Sequence, residues 1–371
     1  MKKRYLFIYG QLNAGGAERV LLDLLHNFDY DRCEVDLLQV VAGGTLIDEI
    51  PTQVHVLQAW ENYSMSYKLA LHAALKLRFA ALWRRRMMCT LNGKKYDVAI
   101  SFLEGMPLKA HSLITDVAIR NYSWVHCDLN RDRYERHMFC NEVDEISAYN
   151  RMTAVICVSG SAKEDFLLRF QNTLARVEVI YNPVDMKKVQ ECSRQKLLQK
   201  EGFTIVVVGR LTEQKRVDRV IRLAAHLKNE NKKVKIQVIG DGTLRDDLEK
   251  QAHELGVDDM VKFMGYIRNP YPYIKAADML LSTSMYEGFS LVVGEAMALG
   301  TPVVATKTTG PTEILDASNY GLLCDHDDES IHQAVVSMID SLEMREKYSS
   351  KGLERIAFFD VASAVERVIK L

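Results

Sequence analysis

Two carboxylates eight positions apart are the strongest candidates for chemistry in this sequence. Glu287 and Glu295 belong to the run YEGFSLVVGE, which follows the apolar segment MLLSTS and enters a predicted helix ending at Gly300. If that helix begins near Ser290, both carboxylates can face a ligand at its N-terminus, where the N–H groups of Ser290 and Leu291 suit phosphate oxygens. The alternative is a capping carboxylate followed by a solvated glutamate.

Two cations form a second candidate site. Arg210 and Lys215 lie in GRLTEQK, directly after the apolar run TIVVV. Ligands of open α/β sheets bind beyond the carboxyl ends of the strands. Because arginine can bind two oxygens at once and lysine supplies a point charge, a diphosphate is the expected partner. The alternative is a pair of solvated surface cations.

Two weaker candidates lie in the first half of the chain. Gly15 and Gly16 follow the first predicted strand and open a helix, where glycine permits a close backbone approach to an anion or a sugar hydroxyl. His126 ends the run SWVH and could bind a sugar hydroxyl. The alternatives are an ordinary strand-to-helix turn and a structural histidine. The turns GDG at 240–242 and GPTE at 310–313 are predicted at the same edge as the cations.

Short β-branched runs alternate with helical patterns along the whole chain. Runs such as TIVVVG and KIQVIG are almost continuously apolar, which is typical of parallel strands buried on both faces. This alternation predicts two doubly wound α/β domains. The break is expected at Asn182-Pro183, because proline cannot continue a strand ladder. The predicted strands are 5–9, 33–40, 96–102, 121–125, 154–159, 178–181, 204–208, 235–239, 261–264, 279–282 and 302–305.

Composition is that of an ordinary two-domain enzyme. The chain has 371 residues, 48% apolar and 26% charged, and a net charge of −1, which argues against nucleic acid as a partner. The apolar run after MKKR is too short for a signal peptide, and no run reaches the roughly 20 residues that span a bilayer. Seven cysteines without a CxxC pair predict reduced thiols, no zinc site and a cytoplasmic location.

One local segment is strongly basic. Between Asn62 and Tyr96 there is no acidic residue, yet eight lysines and arginines occur, interleaved with Phe79 and Trp83. That composition is typical of an amphipathic helix at a membrane interface. We therefore expect residues 66–95 to contact the inner membrane surface. The alternative is an ordinary helix with a solvated basic face.

These motifs, in this order, resemble the GT4-type retaining glycosyltransferases, a family with the GT-B fold. Residues 15–18 match the family's glycine-rich loop, Arg210 and Lys215 its Arg-x4-Lys pair, and Glu287 and Glu295 its Glu-x7-Glu motif. His126, followed here by Cys-Asp, resembles the family's histidine and is the loosest match.

The resemblance implies a fold and a division of labour. Two Rossmann-like domains would face a central cleft, with residues 1–182 binding the acceptor and residues 183–355 binding the nucleotide sugar. The last helix, about 356–371, would pack back on the first domain. The implied catalytic residues are His126, Arg210, Lys215 and Glu287, and the implied acceptor-side residues are Gly15, Gly16 and His126. The implied donor-binding residues are Gly16, Arg210, Lys215, Tyr266, Glu287, Gly288, Phe289, Ser290, Leu291 and Glu295.

The implied activity is transfer of a hexose, with retention and without a metal ion or other cofactor, from a nucleotide-diphosphate sugar. UDP is the favoured nucleotide. The acceptor would be a glycan or a lipid-linked glycan, in the synthesis of cell-surface polysaccharide or glycoconjugate by a cytoplasmic or peripheral membrane enzyme. One alternative is an inactive relative that binds nucleotide sugar beside another transferase. A dinucleotide-dependent oxidoreductase is disfavoured because the G-x-G-x-x-G fingerprint is missing.

Overall fold

The chain folds into two α/β units, each built on one parallel sheet. The computed structural model describes residues 2–13, 15–76, 79–126, 138–198 and 202–371. The first unit consists of Met1–Pro183 together with Val361–Leu371, and the second unit is Val184–Asp360. Two doubly wound parallel sheets were predicted, and this fold class is confirmed.

Among the residues that the structure describes, the sheet of the first unit has seven parallel strands in the order β3-β2-β1-β4-β5-β6-β7. Its central strands are buried along most of their length, as the continuous apolar runs predicted. The strand order reverses between β1 and β4. The strands are β1 Lys3–Tyr9, β2 Cys33–Val41, β3 His55–Trp60, β4 Tyr96–Ser101, β5 Ala118–Val125, β6 Ala154–Cys157 and β7 Arg176–Val179.

Helices connect these strands, and the last helix of the chain packs on the same sheet. Tyr5 donates its hydroxyl proton to the carbonyl of Ile369 at 2.8 Å, and Tyr122 donates to the carbonyl of Leu371 at 3.2 Å. The helices of this unit are α1 Gly16–His26, α2 Met65–Lys76, α3 Ala81–Leu91, α4 Met106–Ser112, α5 Glu142–Tyr149, α6 Gly160–Arg169 and α15 Val361–Lys370.

In the described part of the second unit, the sheet has six parallel strands in the order β10-β9-β8-β11-β12-β13. The order reverses between β8 and β11. The strands are β8 Phe203–Val208, β9 Val234–Ile239, β10 Val261–Gly265, β11 Met279–Ser282, β12 Val303–Thr306 and β13 Leu322–Cys324. The helices are α7 Met186–Ser193, α8 Val217–Asn229, α9 Arg245–Glu254, α10 Tyr271–Ala276, α11 Leu291–Ala298, α12 Thr309–Ile314, α13 Asp328–Asp340 and α14 Leu342–Ile356.

The helix α8 shows how the sequence pattern becomes the core of this unit. Its apolar stripe recurs at helical spacing, so one face of the helix meets the sheet while the opposite face is solvated. All members of this stripe are buried in the core: Val217, Val220, Ile221, Ala224 and Leu227.

Candidate active site

The point where the strand order reverses in the second unit brings two loops together. Strand β8 ends at Val208 and strand β11 at Ser282, and these strands are neighbours in the sheet. Their carboxyl ends lead into residues 209–216 and 283–290. Open α/β sheets bind ligands at such a position, because the two loops diverge and leave a crevice. Three of the four sequence-predicted charged residues, Arg210, Lys215 and Glu287, lie on these loops, and Glu295 lies on α11.

Lys215 and Glu287 form an ion pair across the two loops. The lysine ammonium group donates to Oε1 of the carboxylate. The hydroxyl of Ser284 donates to the same oxygen at 2.8 Å. Glu287 is almost buried, with 8% of its surface exposed, and these two donors offset the cost of burying its carboxylate. The pair is therefore a preformed charged centre at the carboxyl edge of the sheet.

Hydrogen bonds also hold the two loops together. The buried hydroxyl of Thr283 lies 3.0 Å from the carbonyls of both Lys215 and Arg216. The amide of Met285 donates to the carbonyl of Gln214 at 2.7 Å. The positions of the lysine and the glutamate are therefore set by backbone contacts as well as by their own ion pair.

A third loop supports the residues that lead into α11. Gly310 donates its amide to the carbonyl of Glu287 at 2.9 Å, and Thr309 donates its hydroxyl to the same carbonyl at 2.5 Å. A Cβ atom on Gly310 would lie 2.8 Å from Cα of Phe289 and 3.1 Å from the amide nitrogen of Ser290. Only glycine allows this approach, so the GPTE turn is part of the same assembly.

The GDG turn packs against the loop of the cations in the same way. A Cβ atom on Gly240 would lie 1.9 Å from the carbonyl oxygen of Gly209, and one on Gly242 would lie 2.4 Å from that of Leu211. Gly240 also has a φ of +141°, a conformation that residues with a side chain rarely adopt. Both glycine turns noted in the sequence thus shape the loops at this edge.

The remaining predicted donor residues of this unit are placed as follows. Arg210 is exposed, and within the described ranges no group hydrogen bonds to its guanidinium, so the structure does not bring it onto the Lys215–Glu287 pair. Tyr266 follows β10 with 59% of its surface exposed. Glu295 lies on α11 and accepts a hydrogen bond from the Tyr271 hydroxyl at 3.0 Å.

The entry to α11 combines buried side chains with an uncapped helix start. Ser290 is the N-cap residue, but its side chain accepts no bond from the first turn of the helix that begins at Leu291. Gly288 and Phe289 are buried, and the ring of Phe289 meets that of Phe359 edge-on at 5.5 Å. The helix N-terminus therefore keeps its dipole uncompensated by its own cap.

In the first unit, the predicted glycines lie where the strand order reverses. The loop after β1 contains Gly15, the N-cap residue of α1, and Gly16, its first residue. A Cβ atom on Gly15 would lie 2.4 Å from Oε2 of Glu18, so the glutamate side chain folds over the start of its own helix. Glycine at this position makes room for that carboxylate.

His126 follows β5 and is packed among aromatic rings. Its backbone amide donates to Oε2 of the buried Glu104 at 3.1 Å, and its ring lies 4.8 Å from that of Phe102. Burial lowers the pKa of the imidazole to about 3, so the ring is neutral at neutral pH. Neither ring nitrogen has a hydrogen-bond partner in the part of the chain that the structure describes. The Cys-Asp that follows lies outside the described residues.

The basic segment forms the helices α2 and α3, and several of its cations have partners within the protein. Arg84 binds the carboxylate of Asp116 through two nitrogens at 2.8 and 2.9 Å, and Lys94 pairs with Asp36 at 2.7 Å. Trp83 is fully buried, so its predicted place on an interfacial face is wrong. It packs instead in a cluster of aromatic rings with Trp60 and Tyr67.

Other side chains of this segment do face outward. The exposed apolar residues include Met65 at 70%, Leu69 at 61% and Phe79 at 55%. Lys68 and Arg85 are exposed near them in the sequence, as is Lys76. No helix within the described ranges combines the length and the apolar character needed to cross a membrane.

Sequence reasoning missed three residues that hydrogen bond to the predicted site residues. Ser284 bonds to Glu287, Tyr271 to Glu295, and Glu104 to the backbone of His126. Ser284 lies three residues before the glutamate in a loop already singled out, so its proximity was a usable signal. Tyr271 lies on a separate helix, and nothing in the local pattern pointed to it.

Two family models match consecutive parts of the chain. The model described as Glycosyltransferase Family 4 matches residues 14–188, and the model described as Glycosyl transferases group 1 matches residues 189–355. Together they span residues 14–355.

Curated relatives match all or part of the chain. A Campylobacter jejuni protein named N-acetylgalactosamine-N,N'-diacetylbacillosaminyl-diphospho-undecaprenol 4-alpha-N-acetylgalactosaminyltransferase is 28% identical, over 100% of this chain and 99% of its own length. The Rhizobium meliloti lipopolysaccharide core biosynthesis glycosyltransferase LpsE is 30% identical over 48% of this chain and 52% of its own length.

Solved structures share the fold. Anabaena HepE, crystallised with UDP, superimposes with a TM-score of 0.78 at 23% identity, covering 100% of this chain and 99% of HepE. Sucrose-phosphate synthase from Thermosynechococcus elongatus superimposes with a TM-score of 0.79 at 19% identity, over 100% and 98% of the two chains. At these identities the match establishes the fold of the chain.

Proposed function

This chain belongs to the family 4, group 1 glycosyltransferases, and on that premise we propose that it moves a hexosyl group from a UDP-sugar to a lipid-linked or glycan acceptor with retention of configuration. The observation that carries the proposal is the preformed Lys215–Glu287 pair where the strand order reverses in the second unit. The names of full-length relatives favour including N-acetylhexosamines among the hexosyl groups to be tested.

The cations act on the leaving group. When the bond between the anomeric carbon and the diphosphate breaks, negative charge develops on the phosphate. An ammonium has three N–H donors, so Lys215 can bind phosphate with two of them while keeping its bond to Glu287. The exposed guanidinium of Arg210 and the amides at the start of α11 add fixed positive charge.

The carboxylates act on the rest of the donor. Glu287 accepts hydrogen bonds from hydroxyl groups of the transferred sugar, and Glu295, oriented by Tyr271, accepts those of the ribose. Tyr266 offers an exposed ring on which the base can lie. The second unit is thus the donor-binding part of the protein.

The first unit binds the acceptor. Hydroxyl groups of the transferred sugar and of the acceptor sugar form hydrogen bonds with the neutral imidazole of His126 and with the glycine loop at 15–16. The acceptor oxygen attacks the anomeric carbon from the face that the diphosphate leaves. The proton of the acceptor hydroxyl passes to an oxygen of the departing phosphate, so no protein nucleophile is needed.

Transfer assays test this proposal. The wild-type protein is incubated with UDP-glucose, UDP-galactose and their N-acetylamino forms, with a polyprenyl-diphosphate sugar as acceptor. We expect Lys215→Ala to lower kcat by on the order of 10²–10³, as loss of one oxyanion donor does. Lys228→Ala is the matched control, because Lys228 is a cation of the same unit that pairs with Asp259. Equal turnover in Lys215→Ala and Lys228→Ala would refute the assignment.

The same assay separates the enzyme from an inactive binding protein. A chain that binds UDP-sugars but transfers none, with any of these donors, is a nucleotide-sugar-binding partner of another transferase. We expect transfer because the Lys215–Glu287 pair is preformed and Arg210 carries no competing bond among the described residues.

We further propose that a lipid-linked acceptor brings the protein to the cytoplasmic face of the membrane through 66–95. Exposed Leu69 and Phe79 would insert among headgroups, and Lys68 would meet anionic lipid. Co-flotation with phosphatidylglycerol vesicles tests this. Leu69→Asp should abolish flotation, whereas Leu174→Asp, which alters a leucine of the same unit with 87% of its surface exposed, should not. If the wild-type protein does not float with these vesicles at low salt, membrane binding through 66–95 is refuted.

A further inference from the structure

The carboxylate of Glu287 is held on one oxygen only. Oε1 accepts hydrogen bonds from Lys215 and from Ser284, while no group of the described chain donates to Oε2. Oε2 is not among the buried side-chain atoms that lack a hydrogen-bond partner in the described chain, so it is open to solvent and can accept a donor from a ligand. Because both donors bind Oε1, Oε2 is the oxygen that remains available to a ligand.

The two donors differ in how firmly they are fixed. Lys215 reaches the carboxylate with a long, flexible side chain and has two further N–H groups. Ser284 has a short side chain, is 2% exposed, and follows the end of β11 by two residues. Its own carbonyl accepts a hydrogen bond from the hydroxyl of Thr306 at 2.6 Å. The backbone of Ser284 is thus held by β11, which it follows in the chain, and by Thr306 of β12.

We propose that Ser284 is a positioning residue that fixes the Glu287 carboxylate so that Oε2 faces the transferred sugar. The inference rests on the proposed function and adds a residue to it. When a diphosphate binds, Lys215 shares its ammonium between Glu287 and the phosphate oxygens, whereas the hydroxyl of Ser284 donates to Oε1 alone. Recognition of the sugar is thereby separated from recognition of the phosphates, because each has its own donor.

The separation gives Ser284→Ala a specific signature. Affinity for UDP, measured by calorimetry, stays within about twofold of wild type, because the cations and helix start are intact. Affinity for UDP-glucose or UDP-N-acetylgalactosamine, whichever the wild-type protein transfers, falls by about tenfold, the scale expected for loss of a hydrogen bond to a charged group. A fall that is equal for UDP and for the UDP-sugar contradicts the proposal, as does no fall in either.

A double-variant cycle with Glu287→Ala shows whether the serine acts through the glutamate. If it does, Ser284→Ala adds nothing to the loss of UDP-sugar affinity once Glu287 is alanine. Additive losses would mean that the serine acts by another route and would overturn the inference. Thr301→Val is the matched control, because its hydroxyl is also buried in this unit and donates to the carbonyl of Ile274 at 2.9 Å.

The outcomes also distinguish this inference from the proposed function. If the wild-type protein binds no UDP-sugar of the panel, the proposed function is refuted, and the role of Ser284 is refuted with it. If the wild-type protein transfers sugar and Ser284→Ala binds that donor normally, the proposed function stands and only the role of Ser284 is refuted.

Discussion

Replacing Gly310 by alanine tests whether the third loop sets the geometry of the site. The turn at Gly310 supports the backbone between Glu287 and α11 through one amide hydrogen bond and direct packing. The added methyl carbon would lie 2.8 Å from Cα and 3.0 Å from the amide nitrogen of Phe289. Both are backbone atoms, so the clash cannot be relieved by rotating a side chain.

The expected cost follows from these distances. Overpacking a close-packed interior costs about 1–3 kcal/mol. Alanine regains less than about 1 kcal/mol through helix propensity, because Gly310 lies at the start of the short helix α12 rather than in its interior. We therefore expect a net destabilisation of about 1–2 kcal/mol. Displacement of residues 287–290 should also weaken binding of UDP-sugars.

Gly352→Ala is the matched control. Gly352 lies inside α14 of the same unit, and an added Cβ would meet its nearest neighbour, Cγ of Met297, at 3.4 Å. This variant should be as stable as wild type or more stable by up to about 1 kcal/mol. Urea titrations follow the transition that UDP shifts to higher denaturant. If Gly310→Ala matches Gly352→Ala in midpoint and in UDP-sugar affinity, the packing argument is wrong.

Three further predictions concern one buried histidine and two residues near the charged pair and Glu295. Burial lowers the pKa of His111 from 6.5 to about 4, so the unfolded chain binds a proton that the folded chain does not, and stability falls by about 2 kcal/mol between pH 7 and pH 5. His111→Gln should remove that part of the pH dependence in urea titrations; an unchanged slope would exclude His111 as its source. Tyr271→Phe removes the donor to Glu295 and should weaken UDP binding about fivefold by calorimetry, and unaltered affinity would argue against the ribose role. Thr283→Val leaves buried carbonyls unpaired and should cost about 1–2 kcal/mol in urea, a loss that wild-type stability in this variant would disprove.

The fold was predictable where strands are buried on both faces. The run TIVVV is almost wholly apolar, and it is part of the central strand β8. Two strands at sheet edges were missed for physical reasons. The strand β3, His55–Trp60, mixes polar and apolar residues because it is only partly buried, and β13, Leu322–Cys324, is three residues long. The strand predicted at 178–181 lies at Arg176–Val179, another edge strand with an indistinct pattern.

The candidate site, too, could be predicted from the sequence only in part. Lys215 and Glu287 lie 72 positions apart, but each follows a strand's carboxyl end, so their proximity could be anticipated from the order of strands and the family resemblance. The contacts that orient them could not. The burial of Trp83 inside a basic segment depends on Trp60 from β3, a strand that the sequence pattern did not reveal. Contacts between side chains on different helices and strands produce no periodic pattern in the sequence.

The docking of α15 has a consequence for biosynthesis. Its backbone accepts the hydroxyl protons of Tyr5 and Tyr122, so the earliest strand of the chain completes its contacts with residues made after the entire second unit. During translation the second unit is contiguous, whereas the first unit lacks the partners of Tyr5 and Tyr122 until residues 361–371 have been made. Ribosome-bound intermediates of this protein should therefore depend on chaperones at the amino-terminal half, and removing residues 361–371 should damage the domain farthest from the cut in sequence.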